Sequence, residues 1–368
     1  MSAFTQILFL LLVAYIITLL VLAAGYSRTP WFQPRHNEEV PVSIIVCARN
    51  EEAHLGNCLW GLLAQDYPPN LIQIIVVNDA STDRTLLIAD TVLENANIDH
   101  RILSNPSRKG KKSSISQAIK FARHELIILR DADTYTTSVN WLRDVAAAHT
   151  HGLQFVIAPI AVQAGNNLLS ALQAVESAIL ALVTAGPAYY KKPFLCSGAN
   201  LAFSKQLFVQ TGGYTSHNHL VSGDDIFFLH DVKKIPNATV GFLKSPDAVV
   251  NTYPLRRLKP LILQKARWAS KFRHHFNFLN LWIAFLVFTV NGAVIYALCK
   301  LILEGDIWPG AYIFLKILTD LFLLYLASAM IKTGTKLRQL IPVAFIYPFY
   351  ALITGLMAIF IKPVWKEE

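Results

Sequence analysis

Four segments of this chain are apolar over a length that can cross a lipid bilayer, and they flank a more polar middle part. They cover residues 4–26 at the N-terminus and residues 279–299, 308–331 and 340–361 at the C-terminus. A segment inside the hydrocarbon core must satisfy its backbone hydrogen bonds internally, so each is expected to be a helix. Lys316 and Asp320, four residues apart in the third segment, predict a buried ion pair.

Basic residues next to these segments indicate which side of the membrane holds the middle part. The first segment is expected to remain as an anchor, because no positive charge precedes it and its apolar run is too long for a signal peptide. Cytoplasmic flanks are rich in Lys and Arg. Such residues follow the first segment and separate the last two: Arg28, Arg35, Lys332, Lys336 and Arg338. We expect a cytosolic middle part at the inner (plasma) membrane of a bacterium. Pro342 and Pro348 leave open whether the last segment spans fully.

Much of the formal net charge of +9 lies in residues 253–278, a basic and aromatic stretch directly before the second apolar segment. A strongly positive region can serve nucleic acid or an anionic membrane surface. Because its charges alternate with apolar residues beside a predicted span, we expect an amphipathic helix in the membrane interface and no nucleic-acid partner. The cysteines show no metal-type spacing, and three histidines lack further ligands for zinc: Cys47, Cys58, Cys196, Cys299, His217, His219 and His230.

Strand-like and helix-like patterns alternate through the first half of the middle part. Strands are predicted at residues 42–46, 72–77, 101–103 and from 126, and helices at residues 86–95 and 113–123. A further helix is predicted between the polar turn at residues 47–52 and the stop at residues 67–69, from the spacing of Leu55, Leu59, Leu62 and Leu63. This alternation is typical of an α/β fold with a doubly wound, mostly parallel sheet. The second half is less regular, with a strand at residues 155–158, an apolar helix at 168–184 and a glycine-interrupted stretch at 194–203.

Two carboxylates, Asp131 and Asp133, follow the strand that begins at Leu126. If the segment stays extended, both side chains point the same way and can face one hard cation. Mg²⁺ held by one or two carboxylates usually completes its shell with waters and substrate phosphates. A solvated turn after a buried strand explains the same pattern without a metal.

Other charged residues are expected at the carboxyl ends of neighbouring strands, where α/β sheets bind ligands. They are Glu51, Asp79, Lys111, Asp224 and Asp225. A site with a metal on a diphosphate, cations at the leaving phosphate and a separate carboxylate for proton abstraction would use all of them. Simpler interpretations remain open: Asp79 and Glu51 suit helix starts, and Lys111 lies in a basic run that solvent alone would explain.

From residue 42 to residue 268, the order of these motifs resembles that of the membrane-integrated family 2 glycosyltransferases. This group includes cellulose, chitin and hyaluronan synthases and ceramide glucosyltransferase. The residues that carry the resemblance are Ala48-Arg49-Asn50-Glu51, Asp79, Gly110-Lys111, Asp131-Ala132-Asp133, Gly223-Asp224-Asp225 and Gln264-Lys265-Ala266-Arg267-Trp268. The Gln-x-x-Arg-Trp element beside a predicted interfacial helix is the most specific of them.

The resemblance implies a GT-A, Rossmann-like fold and a role for each matching residue. Nucleotide-sugar binding is implied for Ala48, Arg49, Glu51, Asp79, Lys111, Asp131, Gln264, Arg267 and Trp268. Asp133, with Asp131, would hold Mg²⁺ or Mn²⁺, and Asp225 would be the catalytic base beside Asp224. Acceptor binding is implied for Ser197, Gly198, Asn200 and Trp268.

These expectations combine into a metal-dependent, inverting glycosyltransferase that uses a nucleotide-sugar, a UDP-sugar first among them. A membrane lipid or lipid-linked acceptor is preferred, because four spans are few for a secretion channel. A processive polysaccharide synthase and a catalytically silent nucleotide-sugar-binding scaffold remain the alternatives. The expected domains are an anchor at 1–27, a cytosolic GT-A domain at 28–252, the interfacial helix at 253–278 and a three-span region at 279–368.

Overall fold

The computed structural model describes residues 2–34, 38–215, 223–270, 278–331 and 333–360. The chain divides into two compact units, each discontinuous in sequence. The α/β unit comprises Arg28–Ala161 and Pro187–Tyr253, and the helical unit comprises Met1–Ser27, Val162–Gly186 and Pro254–Glu368. The sequence analysis treats residues 28–252 as one continuous domain, whereas the structure assigns residues 162–186 to the helical unit.

The described residues contain ten strands, which are β1 Val42–Ala48, β2 Ile72–Asn78, β3 Asp99–Ser104, β4 Leu126–Asp131, β5 Thr134–Thr136, β6 Phe155–Ile157, β7 Ile160–Val162, β8 Asn200–Ser204, β9 Val240–Phe242 and β10 Val250–Thr252. They also contain twelve α-helices, which are α1 Ala3–Arg28, α2 Leu55–Leu63, α3 Thr85–Leu93, α4 Lys111–Phe121, α5 Trp141–Thr150, α6 Leu168–Tyr189, α7 Lys205–Gln210, α8 Asp224–Val232, α9 Leu258–Ser270, α10 Phe278–Glu304, α11 Trp308–Ile331 and α12 Leu337–Phe360.

The main sheet has seven strands in the order β3-β2-β1-β4-β8-β6-β9. Strands β1 to β4 pair in parallel, β8 is antiparallel to both of its neighbours, and β6 is parallel to β9. This confirms the expected mostly parallel sheet. The antiparallel β8 explains why the second half of the sequence loses the regular alternation.

Both faces of this sheet are covered by helices, as a doubly wound fold requires. Alternate residues of β1 belong to separate cores: Ile44 packs with α2, α3 and α5, and Ile45 packs with α4, α7 and α8. Because neither face meets solvent, strands β1 and β2 are apolar almost throughout rather than alternating.

The Asp-x-Asp pair does not lie on one extended strand. Asp131 ends β4, and Ala132 and Asp133 form a turn before β5 begins at Thr134. The Thr134 hydroxyl donates to the Asp131 carbonyl oxygen at 2.6 Å and closes this turn. The argument that strand alternation aims both carboxylates the same way is therefore wrong, because the chain changes direction between them.

Within the helical unit, α1 packs with α10 and α11, and α6 packs with α9, α11 and α12. Five helices are long and apolar enough to cross a membrane: α1, α6, α10, α11 over Trp308–Ala327, and α12. Four spans were expected from the sequence, with α6 as a helix of the globular part. The expected ion pair is confirmed, since Lys316 contacts Asp320, which also accepts from the Tyr15 hydroxyl at 3.0 Å.

Candidate active site

The polar residues that follow β1, β2 and β4 come together at the carboxyl edge of the sheet. The strands are in register there, with Ala48 opposite Asn78 and Cys47 opposite Asp131. The loops that begin with Arg49 and Asp79 therefore start side by side. This is the edge where open α/β sheets bind ligands.

Asp79 is completely buried and holds the loop before α4. Its Oδ1 accepts from the Asn105 side-chain amide and from the Lys109 N–H, each at 2.8 Å, and its Oδ2 accepts from the Gly110 N–H at 2.9 Å. Gly110 has a φ of +86°, which favours glycine, and Lys111 begins α4 directly after it. The carboxylate of Asp79 thus fixes the backbone that presents Lys111. The first turn of α3 is instead bonded by Asp83, whose Oδ1 accepts from the Thr85 N–H at 3.0 Å.

Arg49 ties the loop after β1 to the loop after β2. Its Nη1 donates to the carbonyl oxygens of Asp79 at 2.9 Å and Ala80 at 3.0 Å. The carbonyl oxygen of Ala48 accepts from the Asp79 N–H at 2.9 Å. Glu51 is also buried, and its N–H donates to the Thr85 hydroxyl at 2.7 Å. Together these contacts give the two loops one fixed arrangement.

Lys111 carries the central positive charge of this edge. Its Nζ lies 2.5 Å from Asp131 Oδ1, and the two side chains are 21% and 32% exposed. Burial lowers the pKa of Lys111, but the carboxylates of Asp131 and Asp224 raise it more, so the net pKa lies above its ordinary value. Lys111 therefore stays cationic, and it is a paired lysine of the site rather than a solvated one.

Asp225 is in the first turn of α8, beside the loop that contains Gly198. The Gly198 N–H donates to Asp225 Oδ2 at 3.2 Å, and the Cys196 thiol donates to the Asp225 carbonyl oxygen at 3.2 Å. A Cβ added to Gly198 would lie 3.4 Å from Lys111 Nζ, so this loop also approaches the lysine. The structure thus brings together Lys111, Asp131, Gly198 and Asp225, residues that are far apart in the sequence.

Asn200 belongs to the core rather than to an open surface. Its side-chain amide donates to the carbonyl oxygens of Pro159 at 2.8 Å and Ala248 at 2.9 Å, and its Oδ1 accepts from the Trp141 indole at 3.1 Å. With 1% exposure and these protein partners, its side chain serves the fold. Ser197 is half-buried in the same loop and keeps a surface position.

Gln264, Arg267 and Trp268 lie on α9, in the helical unit. Between them, Lys265 contacts Glu176 of α6 at 2.8 Å, and Glu176 also accepts from the Tyr350 hydroxyl at 3.2 Å. The Lys265 ammonium lies 4.1 Å from the centre of the Trp268 indole, so it is held against that ring. The ammonium therefore covers part of the Trp268 ring, and this residue is 38% exposed.

The described residues contain no group of three or more His, Cys, Asp or Glu side chains that could hold a metal by itself. Asp131 and Asp133 supply hard oxygen donors, which suit Mg²⁺ or Mn²⁺ when substrate phosphates complete the shell. Two carboxylates alone would leave most of the shell of such an ion to substrate phosphates and water. His230 forms no such group, and His217 and His219 lie outside the described residues.

Sequence reasoning missed several residues that position the site. Asn105 and Glu176 make their contacts with partners far along the chain, at Asp79 and Lys265. No local pattern marks them. Cys196 could have been noticed, because it precedes the Ser197–Gly198 pair that was proposed for the acceptor.

Part of this chain is similar in sequence to known glycosyltransferases. Residues 43–211 match the family model "Glycosyl transferase family 2". The poly(ribitol-phosphate) beta-N-acetylglucosaminyltransferase TarS of Staphylococcus aureus is 32% identical over 106 residues, which are 28% of this chain and 18% of that protein. The beta-monoglucosyldiacylglycerol synthase of Nostoc sp. is 26% identical over 133 residues, which are 36% of this chain and 28% of that protein. The chain thus spans less than a third of the length of these curated relatives.

A solved structure resembles this chain over most of its length. The mannosyltransferase PcManGT from Pyrobaculum calidifontis, in complex with GDP-Man and Mn²⁺, has a TM-score of 0.61 at 19% identity and covers 94% of this chain and 98% of that chain. At this identity the likeness concerns the fold alone, which is GT-A-like with a mostly parallel central sheet.

Proposed function

This chain carries a family 2 glycosyltransferase domain with a GT-A-like fold, and on that premise we propose that it moves a sugar from a nucleotide-sugar to a membrane lipid or lipid-linked acceptor with inversion. The observation that carries the proposal is the cluster of Lys111, Asp131, Gly198 and Asp225 at the carboxyl edge of the sheet. It offers a cation for a leaving phosphate and a separate carboxylate for a proton.

Asp225 is the proposed base. Its carboxylate takes the proton of the acceptor hydroxyl while the hydroxyl oxygen forms a bond to the anomeric carbon of the sugar. The bond from that carbon to the diphosphate breaks, and the nucleoside diphosphate leaves from the opposite face. The Gly198 N–H orients one oxygen of the base. The half-buried, cationic Lys111 favours the charge that develops on the diphosphate.

Asp133 and Asp131 are the proposed residues for a divalent cation, Mg²⁺ or Mn²⁺. When bound, such an ion neutralises charge on the diphosphate. Asp131 already contacts Lys111 through one carboxylate oxygen. We propose that its other oxygen is available to the cation. Asp133 lies in the turn after β4.

The remaining residues keep the roles that the resemblance implies. The nucleotide is proposed to lie against the loops of Ala48, Arg49, Glu51 and Asp79, with Asp79 acting through the loop that it orders. Gln264, Arg267 and Trp268 are proposed to bind the diphosphate and the acceptor. Ser197 and Gly198 are proposed to contact the acceptor, and Asn200 supports their loop from the core.

A membrane acceptor is supported by two observations. Five helices are apolar enough to span a bilayer, and one relative is named as a synthase of a glycolipid, beta-monoglucosyldiacylglycerol. We propose that the α/β unit faces the cytosol, where nucleotide-sugars are made. A UDP-sugar is the proposed donor from the resemblance, and GDP-mannose competes because PcManGT was solved with it.

The processive synthase remains a second candidate because of α6. The argument against a secretion channel relied on four spans, and α6 is a fifth helix of suitable length and hydropathy. The two activities deliver their products to different phases, so one assay can separate them.

The test uses the full-length protein in detergent with radiolabelled UDP- and GDP-sugars and total membrane lipid. Label that moves into the organic phase would support lipid glycosylation. Label in a water-soluble polymer would instead support a processive polysaccharide synthase. Nucleotide-sugar binding without turnover for any donor would favour a silent scaffold.

A further inference from the structure

Tyr214 has a buried hydroxyl without a hydrogen-bond partner among the described residues. The residue is 4% exposed. A buried hydroxyl that is left unpaired costs about 1–3 kcal/mol of stability, so each case calls for an explanation. Phenylalanine would fill the same aromatic cluster without this cost.

Local structure holds the Tyr214 ring in one place. Gly212 and Gly213 precede it with φ values of +73° and +62°, a backbone conformation that favours glycine. The ring then packs edge-to-face against Phe208 at 5.3 Å and Phe228 at 5.9 Å between centroids. The backbone and the two aromatic rings therefore restrict the position of the hydroxyl.

This placement puts Tyr214 on the face of α8 that carries the two carboxylates. Phe228 is four residues after Asp224 and three after Asp225 on that helix, and such residues are neighbours on one helix face. Burial raises the pKa of Tyr214, and among the charged residues Asp224 raises it most, followed by Asp225.

The carboxylates of Asp224 and Asp225 are not equivalent. Both oxygens of Asp225 accept backbone N–H groups, Oδ1 from Ile226 at 2.9 Å and Oδ2 from Gly198 at 3.2 Å. The carboxylate of Asp225 is thus tied to the backbone at both of its oxygens.

We propose that Tyr214 is a positioning residue whose hydroxyl donates a hydrogen bond, through one water, to the carboxylate of Asp224. Held by this donor, the carboxylate of Asp224 keeps one orientation. Asp225, bonded to the backbone of the Gly198 loop, is left to take the proton of the acceptor. This inference rests on the proposed function, and it explains how two adjacent carboxylates acquire different roles.

The test is a thermal-unfolding cycle on the full-length protein with Tyr214→Phe, Asp224→Asn and the double variant. We expect the Tm change caused by Tyr214→Phe in the wild type to differ from the change that it causes in the Asp224→Asn variant by at least about 2 °C. In the Asp225→Asn variant, Tyr214→Phe should change Tm by the same amount as it does in the wild type. Additivity with Asp224→Asn would overturn the proposal, and this readout does not depend on sugar transfer.

Kinetics supply the second readout. Tyr214→Phe should lower kcat about tenfold and leave the KM for the donor unchanged, because a mispositioned carboxylate affects the transition state. An unchanged kcat would contradict the proposal. Tyr67→Phe is the matched control, since that hydroxyl bonds only the backbone of Val40 in the described residues; it should lower Tm and keep kcat. Absence of transfer by the wild type would defeat the proposed function, and the unfolding cycle would still decide on Tyr214.

Discussion

At the scale of single residues, the site depends on charges that are half-buried or buried and compensated. Lys111 contacts Asp131, and Asp79 accepts three hydrogen bonds from its own loop region. Removal of one partner of a buried pair leaves the other charge without compensation. Substitution of Lys111, Asp131 or Asp79 should therefore lower activity. Substitution of an exposed charged residue on α4 should leave activity unchanged.

Replacing Lys111 by methionine tests the cation at the leaving group. We expect Lys111→Met to lower kcat/KM about 100-fold, because one donor to the developing charge is lost. Lys120→Met is the control, since Lys120 lies exposed on the same helix α4. Initial rates of sugar transfer measure both. Equal rates for the two variants would show that Lys111 does not act on the diphosphate.

Asp144 gives a pH dependence of stability that does not involve the site. Burial raises the pKa of this carboxyl from its ordinary value to about 6, although the Ser245 hydroxyl donates to it. Between about pH 4 and pH 6 the native state then binds more protons than the unfolded state, so this group makes stability fall as pH rises. Asp144→Asn should remove that slope, which Tm at pH 4.5 and pH 7 can detect. Parallel pH curves for variant and wild type would contradict this.

At the scale of elements, regular strands and helices were predictable from the sequence, whereas a turn and the packing of one helix were not. The strands and helices of the first half follow their apolar patterns closely, and α2, Leu55–Leu63, contains the leucines whose spacing predicted it. The turn between β4 and β5 escaped prediction, because a side-chain bond from Thr134 closes it. Helix α6 was expected within the domain of residues 28–252, since its pattern alone does not reveal its neighbours α9, α11 and α12.

The contact between α6 and α1 is close enough to require glycine. A Cβ added to Gly186 would lie 2.6 Å from the carbonyl oxygen of Leu22. We expect Gly186→Ala to destabilise the protein by about 1–3 kcal/mol. Gly310→Ala is the control, because nothing lies within 4 Å of its added Cβ. Thermal unfolding in detergent compares them, and equal Tm values would argue against this packing.

Glu176 and Lys265 form a contact that should position Trp268 on α9. Glu176→Gln removes the charge that holds Lys265, and Lys265→Met removes the cation from the indole. If both act through Trp268, each should raise the acceptor KM and the double variant should resemble either single one. Additive losses would show that the two residues act independently.

At the scale of the whole molecule, the order of motifs was enough to predict the fold and the family 2 match of residues 43–211, because strand ends and loop residues are local in sequence. The pairing of Lys111 with Asp131, the role of Asp79 in its loop and the core position of Asn200 were not predictable. Each depends on partners brought together only by the sheet. The same limit applies to Glu176, whose partners lie on α9 and α12.

The most direct test of the account is the rate of sugar transfer by Asp225→Asn compared with the wild type, with donor binding measured in parallel. The account predicts that kcat falls about 1,000-fold while the dissociation constant of the donor stays the same, as expected for loss of a general base. Transfer by the variant at the wild-type rate would contradict the assignment of Asp225 as the base.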